Sequence, residues 1–148
     1  IKMNSYSYIT LEEALAIHLK TVENSGGGLT QCIDSRKLES VLCHIQNDDY
    51  YPEFVDKLTH LFFCACQFHC FADGNKRIAI TLSTQFLLKN GYLFIAKDFI
   101  PKMENISYHV ATGKISKELL RKILGMLLDG TYDTDEEIKL DIYNAIME

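Results

Sequence analysis

The chain has no apolar run long enough to span a bilayer and no signal-peptide pattern at its start, so a cytoplasmic protein without a membrane partner is expected. Runs of lysine and arginine are missing as well, and the formal charge is −5. Direct binding of nucleic acid would need a basic patch that the sequence does not supply. Internal repeats, low-complexity tracts and interdomain linkers are absent. That leaves residues 1–148 as one expected domain, with 131–148 as a helical C-terminal extension. Cysteines number five, and an odd count in a chain without an export signal points to reduced thiols. His18, His44, His60 and His109 show no metal-ligand spacing, and His18 reads as a core histidine on an apolar face. Cys64, Cys66, His69 and Cys70 crowd together, but neighbours two apart on a helix diverge and no second cluster completes a tetrahedral set. Small buried apolar side chains is the better reading of these cysteines.

What is present is a helical pattern. Hydrophobic residues make up 47% and charged residues 24%, the balance of a folded domain. Thr10 and Glu13 form a capping box ahead of Leu11, Leu15, His18 and Val22, and Ser25-Gly26-Gly27-Gly28 ends that helix. Asp34 or Ser35 caps a second helix whose inward residues are Leu38, Val41, Leu42 and Ile45. Residues 46–52 break the period and predict an exposed loop or short hairpin. A long helix is expected over 53–68, and another after the loop that follows, stopping at Asn90-Gly91. Tyr92 to Ile95 reads as a short extended segment, and the next helix as 102–112. Ser116 begins a further helix that ends before Gly130, and an acidic last helix spans about 134–147. The fold class is therefore all-α, with about six to seven helices.

Residues 69–77 carry the chemistry: His69-Cys70-Phe71-Ala72-Asp73-Gly74-Asn75-Lys76-Arg77. Asp73-Gly74-Asn75 reads as a turn into a helix, and free amides at a helix N-terminus form an anion nest. Lys76 and Arg77 open that helix, where cations oppose the dipole; a bound polyphosphate accounts for them, and ordinary surface cations are the alternative. Asp73 offers the hard carboxylate oxygen that suits Mg²⁺, or else stabilises the turn. His69 titrates in the range where it can accept a proton from a hydroxyl, or else is structural.

These residues resemble the Fic/Doc superfamily, and its death-on-curing (Doc) branch in particular. The Fic signature is His-Pro-Phe-x-(Asp/Glu)-Gly-Asn-Gly-Arg-x-x-Arg. His69, Phe71, Asp73, Gly74, Asn75 and Arg77 stand in register with it. Cys70 replaces the usual proline, Lys76 a glycine, and Ile80 the second arginine; the last two are Doc-like. The likeness extends from about His18 to Phe94, loosely over Thr30-Gln31-Cys32-Ile33.

The resemblance implies a Fic/Doc helical bundle and a kinase-like phosphotransferase that moves the γ-phosphate of ATP to a threonine or serine hydroxyl. His69 is then the general base, Asp73 holds Mg²⁺, and Gly74, Asn75, Lys76 and Arg77 bind phosphates. The 46–52 loop becomes the flap that aligns the target, by strand addition. The Doc substrate known in the family is the elongation factor EF-Tu, so the implied outcome is translation arrest by a toxin. Ser35-Arg36-Lys37-Leu38-Glu39 has the spacing of the family's inhibitory helix, but Ser40 follows and the segment reads as core. A chain without that brake implies a toxin–antitoxin pair, with the antitoxin inhibiting in trans. The alternatives are a Fic-type adenylyltransferase (AMPylation), which Lys76 and Ile80 disfavour, and a non-catalytic binding module, which the intact motif disfavours.

Overall fold

The computed structural model describes residues 5–24, 35–67 and 75–147. Within them the chain forms α1 (Leu11–Asn24), α2 (Ser35–His44), α3 (Phe54–Gln67), α4 (Asn75–Lys89), α5 (Leu93–Ala111), α6 (Lys117–Asp129) and α7 (Glu136–Met147), with a 3-10 turn at Tyr132–Thr134. No strand occurs among the described residues, and no helix there is long and apolar enough to cross a membrane.

The helix ends are written in local chemistry. The capping box at α1 forms: Thr10 N–H donates to Glu13 Oε1 at 2.9 Å, and Glu13 N–H donates to Thr10 Oγ1 at 3.1 Å. Ser116 caps α6 by accepting from Leu119 N–H at 3.1 Å. Gly130 ends that helix at φ +78°, a conformation that costs glycine nothing.

Helix α4 is the axis of the fold. The sequence suggests one inward face, Ile78, Leu82 and Phe86. The structure also buries Ala79, Ile80, Ser83 and Leu87, because α1, α3 and α5 pack around the helix. Phe54, Leu58, Leu61 and Phe62 of α3 face it, and Phe99 of α5 meets Phe62 edge-on at 6.1 Å. Phe54 stacks on Phe86 and Tyr92, each at 4.8 Å, so the α4–α5 turn packs on the start of α3.

Two expectations fail at α5. The segment from Tyr92 to Ile95 is not extended, and the helix begins at Leu93 rather than 102. Pro101 is the reason. Proline favours the first turn of a helix, so from sequence alone it marks a start. Here Ala96 and Phe99 before it, and Met103, Ile106 and Val110 after it, lie on one buried stripe, which carries the helix through the proline.

Segment 46–52 is a succession of turns, not a hairpin. Asn47 Oδ1 accepts from Asp49 N–H at 2.8 Å and Tyr50 N–H at 3.3 Å, and Tyr51 N–H donates to Asn47 O at 2.9 Å.

Candidate active site

The motif straddles the junction of α3 and α4. His69, Asp73 and Gly74 lie outside the described residues, as do Cys70 and Phe71. Asn75, Lys76 and Arg77 form the first turn of α4, the helix that the sequence places after Asp73-Gly74-Asn75. The first amides of a helix have no intrahelical partner, so this turn presents N–H groups and a positive dipole end.

Buried side chains hold the described residues on either side of 68–74. Cys64 and Cys66 close α3 at 1% and 0% exposure, as small apolar fillers. Ile78 and Ala79 begin α4, both fully buried. Gln67, the last residue of α3, donates from Nε2 to the Val110 carbonyl and so ties the end of α3 to the end of α5.

Arg77 is exposed and lines a groove of about 410 Å³ between α1, α4 and α5. Ile80, Thr81 and Gln85 form its floor, Ile17, Lys20 and Thr21 one wall, and Ile100 and Glu104 the other. Ile80, at the position of the signature's second arginine, is 4% exposed, an apolar surface where a cation would otherwise point. Thr21 and Thr81 hydroxyls meet at 3.2 Å across the groove floor. Farther along, Lys89 Nζ donates to Glu13 at 2.9 Å, and Asn90 makes two bonds to the Ser7 backbone, at 2.8 and 2.9 Å. Thus α1 is held along the length of α4. The Lys89 ammonium and the Thr10 amide hold the Glu13 carboxyl below its ordinary range, the amide contributing more.

Glu39, at the brake-like spacing, is exposed on α2 in a separate cleft with Arg36, Ser40, Cys43 and His44, away from the groove of Arg77. Leu38, Val41 and Leu42 bury the other face of that helix.

The chain matches the family model of the Fic/DOC family over residues 8–87. It belongs to the Fic/DOC family. The matched span runs from the segment before α1 to the last turns of α4 and contains the whole motif. The chain is also 29% identical, over 126 residues, to the "Protein kinase doc" of Escherichia phage P1; the match covers 80% of this chain and 96% of that protein.

The 46–52 loop runs into the start of α3. The amides of Asp49, Tyr50 and Tyr51 are already bonded to Asn47, so the loop offers no free strand edge at those positions. Beside it lies a polar cluster with no counterpart in the motif. Lys117 Nζ donates to His60 Nδ1 at 2.8 Å, and Tyr51 Oη lies 3.3 Å from the same nitrogen. An ammonium can only donate, so His60 Nδ1 accepts and the imidazole is neutral, with its proton on Nε2. Burial, reinforced by Lys117 and then His44, lowers the His60 pKa from its ordinary 6.5 to about 4. Sequence reading missed this cluster because its members come from the loop, α3 and α6. It missed the groove walls for the same reason.

Proposed function

We propose that this protein is a Doc-type toxin kinase: it transfers the γ-phosphate of ATP to a threonine or serine hydroxyl of a protein, with EF-Tu the first candidate and translation arrest the consequence. The observation that carries the reading is Ile80. An apolar, buried residue at the second-arginine position leaves the groove without the cation that would hold the far phosphates for AMP transfer. Similarity to a Doc protein kinase over nearly all of that protein supports the same choice.

In this reading His69 accepts the proton of the target hydroxyl as its oxygen attacks the γ-phosphorus, and the bond from that phosphorus to the β–γ bridging oxygen breaks to release ADP. Lys76, Arg77 and the amides of Gly74 and Asn75 hold the phosphate oxygens and neutralise charge as it spreads over them. Asp73 would hold Mg²⁺, whose chemistry is charge neutralisation between phosphates; the hard donor suits it, and the cations of α4's first turn suit the nucleotide. Arg77 is exposed and aimed at no carboxylate among the described residues, which fits a phosphate ligand. The 46–52 loop positions the target through side chains, because the amides of Asp49, Tyr50 and Tyr51 are occupied. An antitoxin segment acting in trans would restrain the enzyme. We take residues 1–148 as one catalytic domain acting in the cytoplasm.

The test is parallel transfer from ATP labelled at the γ- or α-phosphate to purified EF-Tu, with His69→Ala as control. Label from γ alone, lost by about a thousandfold or more in the variant, is expected. Label from α would establish an adenylyltransferase instead. No label from either, with folded protein and Mg²⁺, would favour a binding module.

A further inference from the structure

Lys57 is completely buried, a charged side chain among the large core residues Phe62, Phe86 and Phe99. It sits in the first turn of α3, on the face toward the chain's N-terminal segment and the 46–52 loop. Its Nζ donates to the Ile45 carbonyl at 2.8 Å and to Asp48 Oδ1 at 2.8 Å. The rings of Tyr6 and Tyr8 lie 5.8 and 5.7 Å from the same nitrogen, within cation–π range.

A buried ammonium is tolerated only when its donors are answered, and an aliphatic side chain would fill the same volume with less desolvation. Packing alone therefore gives no reason for a lysine here. What the cation adds is a fixed loop. Ile45 follows the last residue of α2, so its carbonyl is one that the helix cannot satisfy internally. Asp48 is inside the loop and 54% exposed. At the other end Tyr51 reaches His60, ring centroids 4.6 Å apart. Between the two anchors Tyr50 stands outward, 77% exposed, with its amide held by Asn47.

We infer that Lys57 is a positioning residue: through Asp48 and the Ile45 carbonyl it sets the 46–52 loop in the shape that presents Tyr50 to the protein substrate. The inference rests on the reading of this chain as a protein-modifying transferase. It assigns Lys57 no contact with nucleotide or with the reacting hydroxyl.

Asp48→Ala is the decisive variant, because Asp48 is half-exposed and its loss opens no core cavity; Lys57→Met is its buried counterpart. Two readouts are needed. Amide hydrogen exchange of the peptide covering 46–52 is expected to quicken roughly tenfold in both variants, with α4 peptides unchanged. Steady-state phosphoryl transfer to EF-Tu is expected to show a KM for the protein substrate raised roughly fivefold or more, with the KM for ATP and the kcat within about twofold. The two changes combined should fall short of additive, since both remove the Lys57–Asp48 pair. Unchanged exchange in Asp48→Ala overturns the inference, as does an equal loss of kcat and kcat/KM with an unchanged protein KM. Failure of Lys57→Met to fold would leave the decision to Asp48→Ala. Should wild-type protein transfer nothing to EF-Tu, the functional reading fails at that substrate, while exchange in the two variants still decides whether Lys57 sets the loop.

Discussion

Lys57 is fully buried and His60 half-buried, although neither stands out in the sequence. Lys57 and His60 are one turn apart on α3, and each turns toward the 46–52 loop from within. His60 carries a pH signature. Its folded pKa of about 4 lies below the ordinary 6.5, so between those values the unfolded chain binds the extra proton. The stability present above pH 6.5 is therefore lost progressively as pH falls to about 4, and the loss ends there. In His60→Gln this part of the slope should flatten, as thermal midpoints measured across that window would show. The group is partly solvated, so the effect will be smaller than a fully buried histidine gives. Nothing in the sequence flags either residue. Lysine is read as surface by composition, and a histidine without metal spacing carries no signal.

At the scale of elements, legibility tracks local chemistry. The capping box at Thr10, the Ser116 cap and the Gly130 stop are written in adjacent residues, and the helices they bound fall where the sequence places them. The start of α5 is different. It is decided by burial of Ala96 and Phe99, on a helix packed against α3 and α4, a tertiary effect that overrides the proline signal. That reading predicts a gain. Pro101 denies the Lys97 carbonyl its usual i+4 partner, and Pro101→Ala should restore it on an exposed face. An increase of about 1 kcal/mol in unfolding free energy is expected, because the more flexible unfolded chain offsets part of the gain. Urea denaturation of the two proteins measures it.

At the scale of the molecule, the core cluster runs from Ile9 to Ile142 and so includes the last helix. Ile138 and Ile142 are 1% and 8% exposed. Ile138→Ala should lower stability by about 2–4 kcal/mol if α7 folds with the rest, and thermal unfolding in a single transition with a lower midpoint is the expected record. A tail serving only as a docking element would leave the midpoint unchanged. The motif itself was legible as a run of residues, whereas the groove beside it was not. Its walls come from α1, α4 and α5, and only the fold brings Lys20, Arg77 and Glu104 to one cleft. The junction between α4 and α5 has a practical side. Gly91 holds φ +88°, Tyr92 gives α5 no side-chain cap, and Leu93 and Phe94 are 64% and 91% exposed. A first turn without a side-chain cap and with an exposed aromatic residue is what chymotrypsin needs. Brief digestion should cut first after Phe94, leaving the whole motif on the larger fragment and α5 to α7 on the smaller. That bond is the natural seam for a split version of this protein, with activity restored only when the two pieces recombine.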